Sequence, residues 1–231
     1  MELARRLPKG CDSVDFGTPG TIAAADVHDK ERFHSEVPLK VLALCGSLRE
    51  ASLNAAMLTM ADSCAPSGLH VHVYRSLGDL PLFNPDLQSQ EPPPVTRLRR
   101  DIASADALLI ASPEYAHGVS GVMKNALDWL VATSVFVSKP VVLWNASPRA
   151  THALASLRET LAVMAARLID EAGIELQFAS SQAHVALANP DAAAMESALI
   201  VLHGVLLEDR RAAGATRTHY LEQARRAPPQ A

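Results

Sequence analysis

Val41-Leu42-Ala43-Leu44-Cys45 runs directly into Gly46-Ser47-Leu48-Arg49-Glu50-Ala51-Ser52-Leu53-Asn54. The first five residues are apolar without alternation, the pattern of a strand covered on both faces of a parallel sheet. A polar turn with a single glycine follows, and it closes on Ser52, a residue type favoured where a helix begins. The same order recurs downstream. Ala107-Leu108-Leu109-Ile110-Ala111 leads into Ser112-Pro113-Glu114-Tyr115-Ala116-His117-Gly118, and a helix is expected through Lys124-Asn125-Ala126-Leu127-Asp128-Trp129. In open parallel sheets, ligands bind beyond the carboxyl ends of strands, where the winding reverses. Two polar loops at two such ends therefore describe one pocket.

Outward from these stretches, apolar runs of strand length alternate with helical patterns. Strands are expected at 40–45, 69–74, 107–111, 140–145 and near 175–179. Helices are expected over 52–64, 95–104, 120–133, 153–171 and 191–211, with a proline-broken loop at 75–94. Such alternation predicts an α/β three-layer sandwich on a five-stranded parallel sheet. A flavodoxin-like order of 2-1-3-4-5 sets the two polar loops side by side at the switch point. The domain is expected to span 38–213. Residues 1–37, broken by Gly10, Gly17, Pro19 and Gly20, are expected to form a flexible extension, and 214–231 a polar tail.

A chain of 231 residues with a formal net charge of -4 has room for one substantial core and no excess of basic residues. Nucleic acid and acidic membranes are not expected partners. No run approaches the ~18 apolar residues of a membrane span. Cys11, Cys45 and Cys64 form no Cys-x-x-Cys unit, and no apolar signal core follows Arg5, Arg6 and Lys9, so a cytoplasmic setting is expected.

The first loop suits a phosphate. A helix start offers unpaired N–H groups and a partial positive charge. Ser47 and Ser52 add hydroxyls, Arg49 a permanently charged fork of donors, and Asn54 an amide. With one glycine the loop lacks both the dinucleotide fingerprint G-x-G-x-x-G and the nucleoside-triphosphate loop. A terminal monophosphate on a planar ring, as in flavin mononucleotide (FMN), fits what remains. Alone, these residues read as caps and solvated side chains; their convergence after a buried strand favours the phosphate. The second loop suits the ring. Pro113 ends the strand ladder, Glu114 and Tyr115 bring a polar group and an aromatic edge, and Gly118 and Gly121 are expected to let the backbone turn close to a ligand. The positive end of the helix starting near Ser120 would favour negative charge on a reduced flavin.

Together these residues resemble the NADPH-dependent FMN reductases, a family that includes quinone, azo-dye and chromate reductases. The resemblance rests on Gly46-Ser47-Leu48-Arg49 with Ser52 and Asn54, and on Pro113-Glu114-Tyr115, Gly121 and Lys124 to Trp129. It implies FMN phosphate binding by Ser47, Arg49, Ser52 and Asn54. It further implies that Pro113, Glu114, Tyr115, Ala116, His117 and Gly118 line the isoalloxazine. Ala116 and Ser120 stand where the family commonly has Asn and Pro. It implies hydride transfer from NADPH (or NADH) to flavin N5 and then to a small-molecule electron acceptor, with no dedicated catalytic side chain. A homodimer or homotetramer is implied, with the flavin near a subunit boundary.

Other residues take plainer readings. His70 and His72 share a strand face without a third metal ligand, so no metal site is expected. Lys124 and Asp128 are expected to pair on a helix surface, and Trp129 to pack in the core or at an interface. Ser147 and Arg149, after the fourth strand, either touch the flavin or nicotinamide phosphate or cap a helix. The helix carrying Leu154, Leu157, Leu161, Met164 and Leu168 is apolar around much of its surface and is expected to meet a second subunit. Two rival functions are an electron carrier without NAD(P)H turnover and a flavin-free anion-binding module. The mild charge and 4% aromatic content speak against the carrier.

Overall fold

The computed structural model describes residues 37–176 and 189–226. The expected 1–37 extension lies almost wholly outside them, as does 177–179 of the expected fifth strand. The elements are β1 Leu39–Cys45, α1 Leu53–Cys64, β2 Leu69–Tyr74, α2 Pro93–Ser104, β3 Ala107–Ala111, β4 Glu114–Tyr115, β5 Gly118–Val119, α3 Gly121–Leu130, β6 Pro140–Asn145, α4 Thr151–Val163, β7 Arg167–Leu168, β8 Ile174–Glu175 and α5 Asn189–Arg226. The main sheet runs β2-β1-β3-β6-β7, with β8 also on β6, and every pairing in it is parallel. This is the expected order, with the chain reversing direction at β1 and β3.

Side chains alternate across the sheet into two cores, which makes the three layers. Val41, Ala43, Leu109 and Trp144 pack toward α1 and α5. Leu42, Leu44, Ile110 and Leu143 pack toward α2, α3 and α4. Burial on both faces is why these strands read as unbroken apolar runs.

Three elements differ from expectation. The fifth strand is two short pieces at one edge: Arg167 and Leu168 pair with Pro140 and Val141, while Ile174 and Glu175 pair with Trp144 and Asn145. A 3-10 turn, Asp170–Ala172, interrupts them, and Trp144 Nε1 donates to Ala172 O at 3.0 Å. Helix α4 stops at Val163 rather than 171. Ala165 takes a left-handed φ of 59°, Ala166 N–H donates to Leu161 O at 3.0 Å, and Ala165 N–H to Ala162 O at 3.0 Å. That is a Schellman ending with alanine where glycine is usual, so no glycine marks the stop. Finally, α5 continues to Arg226, past the expected end at 211 and through the segment expected to be a tail. Its buried stripe among residues 192–216 is Met195, Ala198, Leu199, Leu202 and Leu206.

Candidate functional site

The phosphate-type loop is built as its sequence implies. Ser52 caps α1, its Oγ accepting from Ala55 N–H at 3.3 Å, while Ser47 Oγ accepts from Arg49 N–H at 3.3 Å. The Ser47 hydroxyl proton remains available to a ligand, while the buried Ser52 hydroxyl also lies within hydrogen-bond reach of the Cys45 thiol. At the helix start, Leu53 and Asn54 N–H have no intrahelical acceptor. The Arg49 side chain is exposed, with no ion-pair partner among the described residues. Asn54 is buried, and its Oδ1 has no hydrogen-bond partner among the described residues.

Three loops are locked together behind this cradle. Gly46 N–H donates to Ala111 O at 2.8 Å. A Cβ at Gly46 would lie 2.3 Å from Ser112 Oγ and 2.8 Å from Ser120 Oγ, so only glycine lets the first loop sit against the second. Ser112 Oγ donates to Ser120 Oγ at 3.3 Å, and Ser120 Oγ caps α3 by accepting from Met123 N–H at 3.3 Å.

The second loop is a two-residue hairpin, with Tyr115 paired to Gly118 and Glu114 to Val119. The left-handed residues are Ala116 (φ 49°) and His117 (φ 61°), two positive φ in succession, as a type I′ turn requires. The glycines expected to permit the turn do not do so. Neither Gly118 nor Gly121 has a positive φ, and neither packs against a neighbour closely enough to exclude a side chain. Glu114 reaches across to the third loop: Ala153 N–H, in the first turn of α4, donates to its Oε2 at 2.8 Å. Its other oxygen, Oε1, faces His117 Nδ1 at 3.4 Å. The Glu114 carboxylate thus fastens the hairpin to a helix start.

One cleft of about 390 Å3 joins these loops at the carboxyl ends of β1, β3 and β6. Its walls include Ser47, Arg49, Ser52, Asn54, Pro113, Glu114 and Tyr115. Ala116, His117 and Gly118 are not among its lining residues, since they form the hairpin tip. The third loop contributes Asn145, Ser147 and Arg149, of which Asn145 escaped the sequence reading. Its position at the carboxyl end of a central strand is the signal that would have found it. Asn145 is buried; its Oδ1 accepts from Ser147 N–H at 3.0 Å, and its Nδ2 has no partner. Ser147 and Arg149 do not cap α4, whose N-cap is Ala150.

The Lys124 to Trp129 stretch works from behind. Asn125 Oδ1 accepts from Phe83 N–H at 2.8 Å, and its Nδ2 donates to Pro81 O at 3.0 Å. Trp129 Nε1 donates to the same carbonyl at 2.8 Å, and its ring meets Phe83 edge-on at 5.1 Å. This pins the proline-broken loop to α3. Lys124 and Asp128 pair as expected. Among the described residues no group of His, Cys, Asp and Glu is arranged to hold a metal ion, and no helix is long and apolar enough to cross a membrane. A groove of about 620 Å3 lies at the amino ends of the strands, where Arg167 pairs with Asp209 and Arg210 with Asp106.

An open parallel sheet with a hydroxyl- and arginine-lined cleft at its switch point defines an α/β protein of flavodoxin-like topology. Residues 39–184 match the NADPH-dependent FMN reductase family, and the chain belongs to that family. It is 40% identical over 112 residues to an NAD(P)H-dependent FMN reductase of Pseudomonas aeruginosa, and 36% identical over 113 residues to a quinone reductase of Escherichia coli. Each match covers 47% of this chain and 60% of the relative. Among solved structures, a flavoenzyme NAD(P)H:(acceptor) oxidoreductase from Paracoccus denitrificans is similar, with a TM-score of 0.55 and 26% identity over 74% of this chain and 96% of that one. An oxidoreductase from Corynebacterium diphtheriae shares the fold, with a TM-score of 0.54 and 17% identity over 75% of this chain and 99% of that one.

Proposed function

We propose that this chain holds FMN in the three-loop cleft and carries hydride from NAD(P)H to a small oxidised acceptor of quinone type. The observation that carries the reading is the convergence of Ser47, Arg49, Ser52 and Asn54 at a helix start that opens into a cleft walled by Pro113 and Tyr115. The residues present fit the cofactor. Two hydroxyls, an unpaired guanidinium and the free N–H groups of α1 suit a phosphate dianion. The cleft falls within the ~300–1,000 Å3 typical of small-ligand sites. Asn54 and Asn145 line the cleft, and each keeps one buried amide atom without a partner among the described residues. The names of the relatives support the reductase over the electron carrier.

In this reading Ser47, Arg49, Ser52 and Asn54 bind the phosphate. Pro113 and Tyr115 wall the ring, Glu114 holds their hairpin in place, and Ala116, His117 and Gly118 stand at its approach. The bound flavin supplies the hydride-accepting and hydride-donating chemistry, while the protein positions it and sets its electrostatic surroundings. The domain is taken as 38–213, preceded by an extension and followed by a polar segment. The working form is taken as a cytoplasmic homodimer or homotetramer.

The test is a visible spectrum of the purified protein after FMN addition, followed by anaerobic NADPH. Uptake of FMN and rapid bleaching are expected. A protein that refuses FMN rejects the site, and one that binds FMN without bleaching is a carrier.

A further inference from the structure

Two histidines meet where the second and third loops join. The His117 and His152 rings pack edge to face, with centroids 4.3 Å apart and an interplanar angle of 88°. His117 sits at the hairpin tip and His152 in the first turn of α4. Both are exposed, and the residues two positions before them, Tyr115 and Ala150, line the cleft. The pair therefore stands at the rim. Glu114, whose side chain is only 13% exposed, faces His117 Nδ1 through Oε1 and caps α4 through Oε2. One carboxylate thus holds both the histidine and the helix start that carries its partner.

We propose that His117 is the proton donor to the electron acceptor, with Glu114 and His152 as its positioning residues. The inference rests on the flavin-reductase reading above. In two-electron reduction of a quinone by hydride, the hydride pair forms an O–H bond at one carbonyl oxygen, and the displaced π pair shifts through the ring to leave the opposite oxygen as an anion. That anion needs a proton. With Nδ1 turned to Glu114, the Nε2–H of the His117 imidazolium is the proton free to transfer. The products are the hydroquinone and neutral imidazole, which recovers its proton from solvent, and the electrons come from the reduced nicotinamide coenzyme. Imidazole is the side chain suited to this exchange near neutral pH. The groups touching His117 are Glu114 from β4 and His152 from α4; along the chain, Tyr115 on β4 and Arg149 before α4 are the titratable or charged residues nearest to these.

The experiment compares a quinone, which takes up protons, with ferricyanide, which takes up electrons alone. In His117→Asn, a replacement that tolerates left-handed backbone, the quinone-to-ferricyanide ratio of kcat is expected to fall roughly a hundredfold. In the wild type this ratio should decline as pH rises, and in the variant it should be flat. A second readout needs no turnover: in flavin-free protein, the pH titration of the His117 ring protons by NMR should separate from the wild-type curve in His152→Ala. A variant ratio equal to the wild type's, a pH-independent wild-type ratio or superimposable titrations would overturn the proposal. Wild-type protein that neither binds FMN nor reduces ferricyanide with NADPH would overturn the underlying reading as well, and is distinguished by that.

Discussion

At Gly46 a single hydrogen decides whether two loops can touch. A Cβ there collides with the hydroxyls of both Ser112 and Ser120, the second of which caps α3. Gly46→Ala is expected to push the loops apart, cost about 1–3 kcal/mol of stability and weaken FMN binding; urea unfolding and flavin-fluorescence titration read both. Among the described residues Arg49 has no partner to lose, so Arg49→Ala should leave stability nearly unchanged. FMN affinity should drop by about 1.5–3 kcal/mol, the loss of charged hydrogen bonds. An equal loss of stability would show that the arginine serves the fold instead. Cys45 belongs to the core, and burial pushes its thiol above the ordinary value of 9.0. The folded state favours the neutral thiol, so this contribution to stability is complete below that value and is lost as pH rises through the raised one. At pH 8 iodoacetamide should label Cys64, which is only partly buried, before Cys45; mass spectrometry of the labelled protein shows the order.

Among the elements, the strands were legible because burial on both faces leaves only apolar residues to read. The helix starts at Ser52 and Ser120 were legible from the capping chemistry that the structure shows. The stops were not. Helix α4 ends on Ala165 in a left-handed conformation that alanine disfavours, so nothing local announces it. Replacing Ala165 by glycine should stabilise the protein by about 1 kcal/mol, seen as a raised urea midpoint. The hairpin of the second loop was hidden for the same reason: Ala116 and His117 carry its positive φ, not the neighbouring glycines. The role of Asn125 was also out of reach, because its partners Pro81 and Phe83 lie more than 40 residues away. Asn125→Ala should leave the Phe83 N–H unsatisfied and cost about 1–3 kcal/mol.

For the whole molecule, the sheet order brings three loops from distant parts of the chain to one edge. Two of them were recognised from their own residues; in the third, the sequence leaves Ser147 and Arg149 open between ligand contact and helix capping, and the placement of β6 beside β3 puts them in the cleft wall together with Asn145. The family match begins at residue 39, where β1 begins. A protein lacking residues 1–36 is therefore expected to fold and to take up FMN as the full chain does, by thermal melting and fluorescence titration. The exposed apolar residues Leu82, Val131 and Val163 are consistent with a further subunit. Light scattering should give a dimer or tetramer mass, and a monomer would remove the proposed boundary.

Residue types in their local order were enough to determine that this protein has an open parallel sheet, which loops end its strands, and that one of those loops suits a phosphate. Such features depend on contacts within a few residues or on burial that is nearly uniform. Tertiary structure alone decided that Glu114 caps another helix, that His117 meets His152, and that Gly46 must be bare. Each of these depends on atoms brought together from separate crossovers, and no local pattern records a distance across the sheet.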